Sequence, residues 1–314
     1  MNPYKKDLIS VIMPCFNAEA TIENSTVSVL EQSEPNFELI VIDDGSKDAS
    51  LSIIYQLQAK DARLKVFSKH NEGPGPTRNY GLKQATGEYI AFLDSDDFWD
   101  ENFLKIMKAE LFRSGADLVY CGWQNLGIKG GRGEPFIPPD YENTNKYEIF
   151  LGGCRWPIHG ALTRRSAIDA VGGFDHRLTS CMDYDLWLKI ATSHKIQRIP
   201  KVLSFYQHHE GEQITKNKAR LAFNHWLVQQ NYIAEHPEVV DKLGTEKIRD
   251  LTLGELLNRG YECYWKRDLK AARTIFRAVM KNRYGSWRDW KYMLPSWLPY
   301  QLHRALIEKM DASR

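Results

Sequence analysis

Through its first 125 residues the chain alternates short apolar runs with longer stretches of helical spacing. LISVIMP, from Leu8 to Pro14, reads as a buried strand stopped by proline, and AEATIENSTVSVLEQS after it is helix-compatible, with Asn17 a candidate cap. FELIVI predicts a second strand and DASLSIIYQLQAK an amphipathic helix that Ser46 or Asp48 can cap. RLKVFS, EYIAFL and ADLVYCGW predict three more strands. Between them, GPGPTRNYGLKQAT is a Gly/Pro turn entering a helix, and ENFLKIMKAELFRSG is a helix closing on Gly115. Strands separated by helical stretches of this length imply βαβ units and a mostly parallel sheet flanked by helices.

Residues 125–150 read as a Gly/Pro-rich loop. A second block follows, with a helix starting near Arg164, a Gly-Gly turn, and a helix carrying Leu186, Trp187, Leu188 and Ile190. IQRIPKVLSFYQHH is strand-like, and from about Leu221 the pattern is helical to the end. The expected division is an α/β domain over 1–218, with halves of about 1–125 and 126–218, and a helical C-terminal region over 219–314.

With 43% hydrophobic and 26% charged residues, the chain can build a full core, and its net charge of +2 gives no case for nucleic acid as a partner. Five cysteines without CxxC or metal spacing favour reduced thiols. The opening MNPYKKDLIS lacks a signal peptide's apolar stretch, and no run approaches the roughly 20 residues that span a bilayer. A cytoplasmic location is expected, with any membrane contact peripheral.

The chemistry lies where strands end. In an open parallel sheet, ligands bind beyond the carboxyl ends of the strands. That rule puts Pro14–Asn17, Asp43–Ser46 and Asp94–Asp97 on one rim. Within LDSDDF, Asp94, Asp96 and Asp97 either form a solvated turn that caps the helix beginning near Glu101, or hold a hard divalent cation, which takes carboxylate oxygens and substrate phosphates. In VIDDGS, Asp43 and Asp44 either cap the next helix or accept hydrogen bonds from a ribose or base. HNEGPGPTRNYG offers backbone N–H groups near a helix start, and Arg78 as a fixed cation for a diphosphate. Asp183 and Asp185 precede an apolar helical stripe. Two residues apart, they cannot share a helix face, so one can cap while the other looks into the crevice. Trp156 reads as core packing or as a platform for a sugar ring.

Taken in order, SVIMPCFNAEATIENSTVSVLEQS, FELIVIDDGSKDAS, HNEGPGPTRNYGLKQATGEYIAFLDSDDFW, VGGFDHRLTSCMDYDLWLKIA and YQHHEG resemble the family 2 glycosyltransferases, inverting enzymes of the GT-A (Rossmann-like) fold that build bacterial polysaccharides and cell-surface glycans. The resemblance runs from about Leu8 to Gln213. It implies that Pro14, Phe16, Asn17, Asp43 and Asp44 meet the nucleotide, leaving open which Asp contacts the base. It puts Arg78 beside the nucleotide-sugar and makes Asp94-Ser95-Asp96 the DxD motif, with Asp96 on Mn2+ or Mg2+. The catalytic base falls on Asp183, although Met182 stands where the family has Glu. A family histidine near the metal or diphosphate matches His209, with His208 competing and Gln207 in place of the family Arg.

The resemblance thus implies a hexosyl- or N-acetylhexosaminyl-transferase using a nucleotide-sugar donor, expected to be a UDP-sugar, and a glycan or lipid-linked acceptor. Met182 and Gln207 keep a catalytically inactive binding or scaffold descendant as the alternative. Residues 264–291 carry nine Lys or Arg against two Asp, and Trp287, Trp290, Tyr292, Trp297 and Tyr300 lie in or just after that stretch. The tail fits either peripheral contact with the inner face of the plasma membrane or a helical bundle with a wet cationic face. Oligomeric state, sugar and base are not written in the sequence.

Overall fold

A computed structural model describes residues 3–127, 133–208 and 217–312. It divides into two units: Met1–Lys146 with Cys154–Gly211, and Tyr147–Gly153 with Glu212–Arg314.

The first unit is built on eight strands among the described residues: β1 (Lys5–Cys15), β2 (Phe37–Asp43), β3 (Leu64–Ser68), β4 (Gly87–Phe92), β5 (Phe98–Trp99), β6 (Leu118–Leu126), β7 (Ala161–Arg164) and β8 (Ile196–Gln207). Their order is β3-β2-β1-β4-β7-β6-β8-β5. β1 pairs in parallel with β2 and β4, β2 with β3, and β6 with β8. β7 runs antiparallel to β4 and β6, and β5 antiparallel to β8. The sheet is therefore mixed, but mostly of one direction. Helices α1 (Ile22–Leu30), α2 (Ser50–Gln58), α3 (Pro74–Gln84) and α4 (Phe103–Ser114) connect the early strands. After them come α5 (Lys146–Leu151), which beyond Lys146 belongs to the second unit, and, in the first, α6 (Arg165–Ala170) and α7 (Met182–Ser193).

Sequence reasoning missed β5 and β7, and the loop expected over 125–150 already turns into α5 at Lys146. Both missed strands are too short for a period to register, and their conformation follows from their partners. Every residue of β2 is buried, which is why it reads as a continuous apolar run. Its one break, Glu38, accepts hydrogen bonds from Ser10 Oγ (2.6 Å), Thr86 N (2.7 Å) and Lys65 Nζ (2.5 Å). Helix α3 lies close on the sheet because Gly81 has no Cβ: one there would meet Ile12 Cγ2 at 2.5 Å and Ile42 Cδ1 at 2.8 Å. Helix α4 ends on Gly115 in the left-handed conformation, the stop its sequence predicts.

The second unit is helical: α8 (Lys218–Glu235), α9 (Glu238–Leu243), α10 (Thr245–Arg249), α11 (Glu255–Trp265), α12 (Leu269–Lys281), α13 (Trp287–Met293) and α14 (Tyr300–Ala312). Leu256, Leu257, Ile275, Phe276, Val279 and Ile307 form its core. Gln229 donates to Leu151 O (2.7 Å), which ties the Tyr147–Gly153 segment to α8. The capping box of Ser286 and Asp289 starts α13.

Candidate active site

The parallel register brings the strand ends level. Cys15 faces Asp43 across β1 and β2, Asp43 faces Ser68 across β2 and β3, and Leu93 N donates to Ile12 O (3.1 Å) just after β4. The loops that follow these strands share one rim. Pro14 is half-buried in β1, and Phe16, 45% exposed, offers an aromatic face just beyond it. Asn17 does not cap α1, whose N-cap is Thr21. Instead, Asn17 (φ 48°) joins two loops: its N–H donates to Ser46 Oγ (3.0 Å) and its Oδ1 accepts from Lys47 N (2.8 Å). Neither Ser46 nor Asp48 caps α2, whose N-cap is Ala49 with no side-chain cap hydrogen bond; Asp48 instead closes the turn before the helix, accepting from Ser50 N (3.0 Å).

The two acids of the DDGS run have different surroundings. Asp43 accepts from Ser46 N (3.2 Å) and Ser68 Oγ (3.1 Å). Asp44, 3% exposed, accepts from Lys69 Nζ (2.6 Å), Glu72 N (3.0 Å) and Gly73 N (2.8 Å). Asp44 thereby clasps the loop that leads into α3, and this use of Lys69 left no signal in the sequence. On α3, Arg78 is buried and its Nη2 donates to Asp94 Oδ1. Its guanidinium lies 5.6 Å from the Phe174 ring centroid, and its buried Nε has no hydrogen-bond partner among the described residues. Asn79 fixes the turn bearing Phe174 from both sides, donating to Phe174 O (2.7 Å) and accepting from Phe174 N (3.0 Å).

Carboxylate oxygens of Asp94, Asp96 and Asp97 lie within 4.8 Å of one another. Like charges this close repel, and an all-oxygen donor set suits Mg2+ or Mn2+. Both oxygens of Asp97 are already engaged, and it does not cap the next helix, whose N-cap is Asn102. Its Oδ2 pairs with His159 Nδ1 (2.8 Å) and its Oδ1 accepts from Gln207 N (2.9 Å). The turn before α4 is closed by Asp100, which accepts from Asn102 N (2.9 Å). Asp94 and Asp96, half-buried like Ser95 between them, are the better placed pair. Burial opposes charging the His159 ring, but Asp97, with Asp94 and Asp96 beyond it, raises its pKa. Burial together with Asp97, Asp96, Asp94 and Asp183 also pushes up the Tyr206 hydroxyl, so one tyrosine feels all four acids. His159 was missed because nothing in its local sequence marks it, whereas Tyr206 opens the YQHH stretch but was given no role there. His208 stacks edge-on against Tyr206 at 4.8 Å, and His209 lies outside the described residues.

Asp183 sits in the first turn of α7, behind Cys181 in the left-handed conformation (φ 61°). Burial pushes its carboxyl above the usual range, against the opposing Tyr184 N–H (2.9 Å) and the Arg78 charge, while nearby Asp94 adds to the rise. Asp183 therefore shares its electrostatic surroundings with the acids of the rim. Asp185, 2% exposed, pairs with Lys189 (2.9 Å) and is structural. Met182 is buried, and a Cβ on Gly75 of α3 would lie 3.7 Å from its Sδ, so an apolar contact occupies the place of the family Glu. Trp156 is core: it is 2% exposed and stacks on Tyr120 at 4.2 Å.

A mixed sheet with a parallel nucleotide-type half and acids at its rim is the GT-A arrangement. The chain superposes on Staphylococcus aureus TarS 1-349 in complex with UDP-GlcNAc with a TM-score of 0.57, covering 87% of this chain and 84% of that one, at 21% identity, a likeness of fold. The chain belongs to glycosyl transferase family 2, whose model matches residues 10–172. It is 32% identical over 233 residues to the Escherichia coli UDP-Glc:alpha-D-GlcNAc-diphosphoundecaprenol beta-1,3-glucosyltransferase WfgD, covering 73% of this chain and 88% of that protein. An uncharacterized glycosyltransferase of Haemophilus influenzae is 53% identical over 128 residues, which is 39% of this chain and 51% of the relative, so the match spans about half of that protein. Among the described residues, no helix is long and apolar enough to cross a membrane.

Proposed function

We propose that the chain is an inverting, metal-dependent transferase that moves a sugar from a UDP-sugar to a hydroxyl of a glycan or lipid-linked acceptor in the synthesis of a bacterial surface polysaccharide. The observation that carries this reading is the electrostatic neighbourhood shared by Asp183, Arg78, Asp94 and Tyr206. The donor class is supported by the UDP-Glc donor of WfgD and by the UDP-GlcNAc complex of TarS, and the acceptor class by the GlcNAc-diphosphoundecaprenol acceptor of WfgD.

In this reading Phe16 and the Asn17–Ser46 junction border the base and ribose. The orphaned Nε of buried Arg78 donates to a diphosphate oxygen, which fixes the donor. Asp94 and Asp96 would hold Mn2+ or Mg2+, which supplies positive charge against the diphosphate. Asp183 takes the proton of the acceptor hydroxyl as that oxygen attacks the sugar C1 from the face opposite the diphosphate. The new C1–O bond forms as the C1–O bond to the nucleoside diphosphate breaks, and the anomeric configuration inverts. Burial suits Asp183 to this work, because a raised pKa makes a carboxylate a stronger base.

The test is release of nucleoside diphosphate from a panel of nucleotide sugars, with and without Mn2+, followed by NMR of the anomeric centre in the product. UDP release that needs Mn2+ and Asp183, with inversion, supports the reading. Absence of both release and thermal stabilisation by every nucleotide sugar overturns it.

A further inference from the structure

The last elements of the helical unit present an apolar face. On α14, His303 and Ile307 point into the core, at 0% and 3% exposure. The neighbouring stripe, Leu302 and Leu306, is turned outward at 59% and 39%, one helical turn apart. Trp297, Leu298 and Tyr300 continue it toward the N-terminus of the helix, all exposed. Singly exposed leucines are ordinary; a run of them with two aromatic rings marks a docking face.

The charge behind this face indicates what it meets. The Arg277 guanidinium lies 5.2 Å from the Trp297 ring centroid, and that of Arg273 lies 5.7 Å from the Tyr300 ring, which Lys270 Nζ also approaches at 6.0 Å. Arg273 donates to Leu298 O (2.6 Å) and Arg277 to Ser296 O (2.9 Å), so both are fixed in place. Neither pairs with a carboxylate among the described residues. Glu308 of α14 is matched by Arg304 (2.7 Å) and Asp311 by Arg267 (2.9 Å). Positive charge therefore stands uncompensated beneath the aromatic rings, strongly enough that Arg273 and Arg277 depress the pKa of His303 once its burial has lowered it. A second copy of this face would bring these cations against their own images. An anionic bilayer takes every part: leucines enter the acyl boundary, Trp and Tyr suit the headgroup level, exposed Lys270 and half-buried Arg277 meet lipid phosphates, and buried Arg273 adds its charge from beneath.

We propose that Trp297, Leu298, Leu302 and Leu306, backed by Lys270, Arg273 and Arg277, form a peripheral docking surface for an anionic membrane. This does not rest on the reaction assigned above. The test uses the full chain with vesicles of phosphatidylcholine alone or mixed with phosphatidylglycerol, read by co-sedimentation and by tryptophan fluorescence. The chain is expected to pellet with the mixed vesicles at low salt, with a blue-shifted emission, and to lose at least about tenfold in partitioning at high salt or in the Leu302→Glu/Leu306→Glu variant. Both positions are exposed, so thermal melting of the variant should match the parent. Should it not, Trp297→Ser serves as the second probe and is expected to lose binding likewise. No pelleting by the parent, equal pelleting by the variants, or a dimer in sedimentation velocity that the variants dissolve without any vesicle binding each overturns the proposal. UDP release measured without vesicles on the same samples separates loss of docking from loss of donor chemistry.

Discussion

His159 Nδ1 lies 2.8 Å from Asp97 Oδ2, and each of the two side chains is 1% exposed. Asp97 also takes the Gln207 N–H at 2.9 Å, so one buried carboxylate joins the DSDD turn, the segment before β7 and the end of β8. Removing the imidazole leaves a buried charge without its partner, at a cost on the order of 3 kcal/mol. His159→Ala is expected to lower the melting temperature and also to weaken the stabilisation given by Mn2+, because the turn that carries Asp96 loses its anchor. Thermal melts with and without Mn2+ measure both effects. An unchanged Mn2+ response in a folded His159→Ala protein would show that the pair has no bearing on the acids beside it.

Asp96→Ala tests the cation directly. Mn2+ is expected to stabilise the parent and tighten its binding of UDP, and to do neither in the variant. Isothermal titration of UDP with and without Mn2+ reads this, and equal Mn2+ enhancement in both proteins would place the ion elsewhere.

Asp183→Asn separates catalysis from folding. Loss of the general base is expected to cost about 10²–10⁴ in kcat while leaving donor binding intact. Because burial raises the Asp183 pKa in the folded protein, the folded state favours the protonated acid. Its contribution to stability is therefore present below the unfolded pKa and is lost as pH rises through the folded one. Two consequences follow at neutral pH. The Asn variant melts no lower than the parent, and the acid limb of the parent's kcat profile lies above the usual carboxylate value of about 4. A variant of full turnover would remove Asp183 from the reaction.

The fold was legible where burial wrote a local pattern. β1 to β4 announce themselves as apolar runs, and Gly115 as a helix stop. The two-residue β5 and four-residue β7 carry no period, and their conformation is set by partners distant in the chain. At the site, the acids were visible as strand-end clusters, but their division of labour was not. Asp44 is spent on Lys69 and the loop before α3, and Asp97 on His159. Both pairings are long-range, and a lone Lys or His gives no sign of them in sequence. Asp183 stood out only through a family resemblance, because an Asp in a first helical turn is ordinarily a cap.

Glu38 supplies a pH dependence of the opposite sign. Burial would raise its pKa, but hydrogen bonds from Lys65, Ser10 and Thr86 outweigh that and hold it below the ordinary value. A depressed carboxylate gives stability that is present above the unfolded pKa and lost as pH falls through the folded one. Glu38→Gln is therefore expected to melt lower than the parent at neutral pH, and the gap should close in acid. A gap that stays constant with pH would mean that packing, not charge, sets the effect.

Gly81→Ala asks whether the placement of α3 matters to the site it carries. In a free helix, alanine is favoured over glycine by about 1 kcal/mol. Here its methyl would come within 2.5 Å of Ile12 Cγ2 and 2.8 Å of Ile42 Cδ1, side chains with no exposure and no room to retreat. Overpacking of this kind costs about 1–3 kcal/mol, so the clash should outweigh the propensity gain. The cheapest relief is a small outward shift of α3. Arg78 sits one turn earlier on the same helix, against Asp94, and moves with it. The variant is thus expected to melt a few degrees lower and to bind the nucleotide-sugar donor more weakly than the melting change alone explains. A stabilised variant would show that α3 has slack against the sheet, and Arg78 would then owe its position to Asp94 and Phe174 rather than to the glycine.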